Sequence, residues 1–324
     1  MIKNKIISEK YILKKHLTKL TFNKDETFQL NNDAAYLNLP SNKHLIVTND
    51  TILESVDFFK NDSPESIANK IVTCNLSDIS AMGAYPYCYT LSLSIPKNIN
   101  EIWFKKFSKK LFSLQKKYNF FLLGGDLSHS KKIIISSNFF GYSPKGKIIK
   151  RKGAKINHDI WVTGNLGEST IGLKILQKKI KVNYMDKKYY LNKYYYPNHC
   201  PFGDKIFNLV SSAIDISDGF FGDLENILKL NKLGASIKSK FIPFSNKTKK
   251  LIKNKIVDIN ILLSSGDDYQ LLFTANSKKA LIIERLAEKN NIKISKVGKI
   301  IQQKGIFLDD NKINLINKSY QHFS

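Results

Sequence analysis

Between residues 44 and 290, short apolar runs of strand length alternate with longer stretches whose apolar residues recur at helical spacing. This alternation constrains the fold more than any other feature, because a period near two and a period near 3.6 commit their segments to different structures. Strands are expected at 44–49, 87–95, 120–123, 133–142, 159–163, 213–216 and 270–274. Helices are expected at 64–82, 100–118, 168–177, 220–230 and 278–290. Such an order specifies an α/β class with mixed, α+β-type sheets. The run SPKGKIIKRKGAKINHD over 143–159 mixes Pro, Gly and Lys and reads as a junction. With 324 residues the chain exceeds the usual single-domain size, so two α/β domains are expected, residues 1–145 and 146–324. Residues 1–22 read as an exposed amphipathic helix, and the Lys- and Tyr-rich stretch 178–196 as irregular or helical surface.

The formal net charge of +25 would by itself suggest a polyanionic partner. Of 52 basic residues, however, only Arg151 and Arg285 are arginine, whereas readers of phosphates and bases employ arginine forks. The lysines are spread everywhere, as a drift toward AT-rich codons would leave them, and no specific nucleic-acid site is expected. No segment approaches the ~20 apolar residues of a membrane span. Cys74, Cys88 and Cys200 lack CxxC spacing and suit a reducing cytoplasm.

The chain has no GxxxxGK[ST] loop, no protein-kinase signature and no dinucleotide fingerprint. Its chemistry is written in aspartates beside small or hydroxyl residues. Five clusters stand out: VTND (Thr48, Asn49, Asp50), NLSDISAMGA (Asn75, Asp78), FFLLGGD (Gly124, Gly125, Asp126), IDISDGFFGDL (Asp215, Ser217, Asp218) and SSGDDYQLLF (Gly266, Asp267, Asp268). Each has a plain structural explanation: Asp218 as a helix cap, Gly124-Gly125-Asp126 as a turn, Asn49-Asp50 as a strand end. Taken together, carboxylates at the ends of elements suggest a site that gathers cations. Mg²⁺ explains the residue type, because it prefers carboxylate and water oxygens and bridges protein to substrate phosphates.

These motifs, in this order, resemble those of the thiamine-monophosphate kinase family, within the superfamily that includes aminoimidazole ribonucleotide synthetase. The likeness runs from about Tyr11 to Phe323 and includes RKGAKINHDIWVTGNLGES and the terminal SYQHF. It implies a two-domain fold of that superfamily, a homodimer joined through its N-terminal domains, and ATP-dependent phosphorylation of thiamine monophosphate with several Mg²⁺ ions. By resemblance, Asp33, Thr48, Asn49, Asp50, Asp78, Asp126, Asp215 and Asp218 fall at metal positions, and Thr48, Gly125, Asp126, Arg151 and Ser217 at nucleotide positions. Asp57, Asp267 and Tyr320 fall at acceptor positions, and Asp126 and Arg151 are expected to carry the transfer. Asn31-Asn32-Asp33 replaces the family's Gly-Asp-Asp, and Asp57 replaces its usual histidine. Other ATP-using members of the superfamily place a reactive Cys or selenocysteine near the N-terminus or a Cys at the C-terminus, which this chain lacks. A catalytically silent basic dimer is the remaining alternative.

Overall fold

The computed structural model describes residues 8–314, which divide into two compact units. Among the described residues, the first comprises 8–79 and 85–145, the second 80–84 and 146–314. Among the described residues of the first unit, α1 (Glu9–Ile12) leads through a π-helical turn (Leu13–Leu17) into 3-10 turns. There follow β1 (Lys43–Leu53), α2 (Pro64–Ala81), β2 (Tyr85–Ile95), α3 (Glu101–Tyr118), β3 (Phe121–His129) and β4 (Ile134–Pro144). The strands form one sheet in the order β1-β4-β2-β3, with β2 and β3 parallel and the other pairs antiparallel.

Alternation along these strands divides the sheet into two faces. One face presents Ile46, Ile52, Tyr89, Leu91, Leu93, Ile135 and Phe139, all buried. α2 lies on this side, since the Thr48 hydroxyl reaches Asp78 and a Cβ on Gly141 would meet Ile79. α3 is N-capped by Asn100, whose side chain accepts from Trp103 N, and buries Phe104, Phe107, Leu111 and Leu114 as a single stripe. The opposite face carries a band of hydroxyl and amide side chains. Asn49 reaches Asn138 at 2.9 Å, Thr51 reaches Ser136 at 2.9 Å, and Ser94 meets Ser128 at 2.6 Å.

The N-terminal stretch is not the exposed helix that its pattern suggests. Ile12, His16, Leu17 and Leu20 are buried, and Gln115 of α3 donates to Leu20 O at 2.7 Å. Its apolar spacing breaks after one helical turn, and short turns of other pitch keep those residues on the protein side.

The second unit begins with β5 (Asp159–Thr163) and α4 (Glu168–Leu176), followed by α5 (Tyr184–Tyr195), α6 (Gly203–Ile206), β6 (Val210–Ile216) and α7 (Phe220–Asn231). It continues with β7 (Gly234–Ile237), α8 (Asn246–Lys253), α9 (Ile259–Leu263), β8 (Gln270–Ala275), α10 (Ala280–Lys289), β9 (Ile294–Ile301), β10 (Gly305–Leu308) and β11 (Asn311–Lys312). Its sheet runs β11-β10-β7-β9-β5-β8-β6, mixed in direction because β7 and β10 are parallel. One apolar cluster spans Ile160, Val162, Ile214, Phe220, Phe221, Leu224, Leu272 and Val297. The Lys- and Tyr-rich stretch 178–196 contains α5, held to α4 so tightly that a Cβ on Gly172 would stand 2.4 Å from Tyr190 O.

Candidate active site

In the first unit, β1 does not end at the VTND cluster but runs through it to Leu53. Thr48 and Asp50 therefore point to the α2 side, and the Asn49 side chain points to the other, where it hydrogen-bonds Asn138. The three oxygens expected side by side are thus divided between two faces. Thr48 Oγ1 donates to Asp78 Oδ2 at 2.5 Å, which brings Thr48, Asp50 and Asp78 into one cluster. Burial, and then the neighbouring Asp78 carboxylate, push the Asp50 carboxyl up to about 6, against a hydrogen bond from Cys74 that pulls it down. Asp50 Oδ2 is buried and has no hydrogen-bond partner. Asn75 does not join the cluster, because it is fully buried and its amide donates to Ile71 O at 2.9 Å within the helix.

Two further residues complete this corner, and no single-sequence signal singles them out. Lys70 and Cys74 precede Asp78 by eight and four positions and so share its helix stripe. Lys70 Nζ donates to Asp57 O at 2.7 Å, while Asp57 Oδ2 accepts from Leu53 N at 2.8 Å.

Gly124, Gly125 and Asp126 lie inside β3 rather than in a turn after it. Gly125 is needed for strand pairing, since a Cβ there would stand 1.9 Å from Leu91 O. Asp126 pairs in register with Ser92 and precedes Ser128 by two residues, so it belongs to the hydroxyl face of the sheet. Asp126 and Asp50 sit on the two edge strands, three strand spacings or about 14 Å apart, and on opposite faces. One copy of the chain does not bring them together. Asp33 is exposed in an irregular stretch, with no hydrogen bond to the cluster among the described residues.

In the second unit, β6 delivers buried Asp215 and then Ser217 and Asp218 into the turn before α7. Asp218 is not the helix cap. The N-cap residue is Gly219 at φ +115°, and Asp223 Oδ2 accepts from both Ser217 N and Asp218 N at 3.1 Å. Burial, and then Asp218, raise the Asp223 carboxyl to about 7. Asp223 was visible in the GFFGDL string, but only its place one turn into α7 reveals what it holds.

The loop before β8 packs against this turn. Asp267 N donates to Ser217 O at 3.0 Å, and a Cβ on Gly266 would stand 1.9 Å from the same carbonyl. Asp267 adopts φ +66° and accepts from Tyr269 Oη at 2.7 Å. Asp268 instead turns inward, where both oxygens accept from Gly167 N at 2.9 Å and burial raises its carboxyl well above the usual range. The structure thus assembles Ser217, Asp218, Gly266 and Asp267. Arg151 is exposed, and its segment is fixed by Asn231, which donates to Arg151 O at 2.9 Å and accepts from Gly153 N at 2.8 Å. Tyr320 lies outside the described residues.

No group of three or more His, Cys, Asp or Glu side chains among the described residues is arranged to hold a metal unaided. Hard carboxylate oxygens in ones and twos, one of them orphaned in Asp50, fit Mg²⁺, which takes a few protein ligands and completes its shell with water and phosphate.

Residues 31–142 match the family model for AIR synthase related protein, N-terminal domain. A thiamine-monophosphate kinase of Buchnera aphidicola subsp. Schizaphis graminum is 37% identical over 307 residues, covering 93% of this chain and 94% of its own length. The crystal structure of thiamine-monophosphate kinase from Stenotrophomonas maltophilia K279a has a TM-score of 0.87 at 27% identity, covering 94% of this chain and 98% of that one. AaThiL complexed with AMPPCP and TMP has a TM-score of 0.78 at 26% identity, covering 90% of this chain and 91% of that one.

Proposed function

The chain belongs to the thiamine-monophosphate kinase family, and from that premise we propose that it moves the γ-phosphoryl group of ATP onto thiamine monophosphate, forming thiamine diphosphate by direct in-line transfer. The observation that carries this reading is a likeness spanning nearly the whole length of a chain complexed with AMPPCP and TMP. The residues themselves favour positioning and charge over covalent chemistry. Ser217, Asp218, Gly266 and Asp267 form one polar surface, and the Asp50–Asp78 pair forms another.

Magnesium, when bound, would supply the counter-charge to the phosphates, with Thr48, Asp50 and Asp78 as its holders in the first unit and Asp215 and Asp218 in the second. Without that charge, burial and then the repulsion of Asp78 hold the Asp50 carboxyl up at about 6. Arg151 presents its guanidinium to the nucleotide phosphates, and Asp57, Asp267 and Tyr320 hold the acceptor.

The separation of Asp126 from Asp50 supports a homodimer. β1 and β3 are both edge strands of the four-stranded sheet, and β1 exposes Val47 and Leu53. Pairing β1 of one copy with β3 of another would bring the strand that carries Asp126 to within one strand spacing, about 5 Å, of the strand that carries the partner's Asp50.

The test is ADP release from ATP with and without thiamine monophosphate, in Mg²⁺ and after its chelation. The expected outcome is release that requires both. ADP release indifferent to thiamine monophosphate would overturn the proposed acceptor.

A further inference from the structure

Residues 53–58 form a tight turn after β1 whose two ends are differently secured. Its base is anchored by Phe58, 4% exposed, and by Glu54, which accepts from Ile133 N at 3.0 Å. Within the turn, Asp57 N donates to Leu53 O at 2.9 Å, Ser55 N donates to Phe58 O at 2.8 Å, and Ser55 sits at φ +73°. Ser55 and Val56 at the apex are exposed. Asp57 is tied to the helix by the hydrogen bond from Lys70 Nζ to Asp57 O at 2.7 Å.

We propose that Lys70 is a positioning residue for the phosphate acceptor, tying the Asp57 turn to the stripe of α2 that carries Asp78. This rests on the reading of Asp57 as an acceptor-side residue. A charged donor makes a hydrogen bond roughly twice as strong as a neutral one, so the turn is held where a polar but uncharged side chain would let it fray. One Asp57 oxygen is already engaged by Leu53 N, which fixes the plane of the carboxylate. The ammonium also stands on the same helix stripe as Cys74 and Asp78. Its charge therefore offsets repulsion between Asp57 and the Asp50–Asp78 pair at the place where a phosphorylated acceptor meets the metal-binding corner.

The experiment compares the parent with K70M and K70R. Hydrogen exchange of the Leu53 and Asp57 amides in the ligand-free chain needs no substrate. K70M is expected to lower their protection about tenfold and K70R to restore most of it, because a guanidinium can still donate to Asp57 O. In steady-state kinetics K70M is expected to raise KM for thiamine monophosphate about tenfold while KM for ATP stays within about twofold. Unchanged amide protection, or an equal rise of both KM values, would overturn the proposal. K70Q carries the same comparison should K70M not fold. If the parent chain does not use thiamine monophosphate, the proposed function fails, and the exchange experiment alone still decides whether Lys70 holds the turn.

Discussion

Gly125 and Arg151 show how differently single residues are constrained. An alanine at position 125 has to push β3 away from β2, because its Cβ would lie 1.9 Å from Leu91 O, a backbone atom that cannot rotate aside. We expect G125A to lose about 3 kcal/mol of stability, seen as a lowered urea midpoint with an unchanged slope. G124A, where nothing lies within 4 Å, is the matched control and should lose much less. The constraint proposed for Arg151 is chemical instead. Its backbone is pinned by Asn231 and its side chain is exposed, one of two arginines in a chain of 52 basic residues. R151K keeps the charge and removes the planar fork, so kcat/KM toward ATP should fall about tenfold, equivalent to about 1.4 kcal/mol. Equal activity of R151K and the parent, with R151A inactive, would show that charge alone matters.

At the level of elements, the N-terminal turns dock through a buried histidine, and this gives the fold a pH dependence. His16 is 2% exposed, its ring centroid is 6.1 Å from that of Phe104, and its Nε2 lies 3.8 Å from Glu101 Oε1. Burial holds the imidazole below its ordinary range; Glu101 pulls upward, and Lys15, Lys19 and Lys105 pull downward. A depressed histidine favours folding in its neutral form, so its contribution is complete above about pH 6.5 and is lost as the pH falls through the lowered folded value. H16Q should therefore shrink the drop in urea midpoint between pH 7.5 and pH 5.5. It should not abolish it, because burial depresses His158 in the same direction. From β1 through α7, all elements but α5 and α6 were legible because period-two and period-3.6 runs are long there, and the acidic clusters were legible because aspartate is scarce among so many lysines. β7 and β10 were not, since four-residue strands carry too little periodicity to stand out. The assignment of faces was also hidden. Thr48, Asn49 and Asp50 look like one cluster in the sequence, and only knowing that β1 continues to Leu53 shows that they part. Lys70 escaped notice for a related reason: its partner is a backbone carbonyl, which leaves no mark in the sequence.

For the whole molecule, the proposed homodimer would make assembly part of the chemistry, through the two edge strands. The expected solution mass is twice 37.1 kDa, measured by sedimentation at micromolar concentration. D50A and D126A should each be inactive while remaining folded, because removing one carboxylate from a metal-free acidic site relieves repulsion. If the two residues act across the dimer, unfolding and refolding the two inactive variants together should recover about a quarter of parental activity, since half the dimers would be mixed and each would hold one intact site. No recovery in a mixture shown to contain mixed dimers would place both residues in one copy's site. The partition of β1 between its two faces also bears on how this chain can change. Substitutions along the strand alter one side at a time, but deleting a single residue between positions 43 and 47 would exchange the sides wholesale, turning Asn49 toward α2 and Asp50 away from it. Reading-frame-preserving indels there should be far less tolerated than point mutations at the strand's exposed positions, so the length of this strand is as much a determinant of activity as the aspartate it carries.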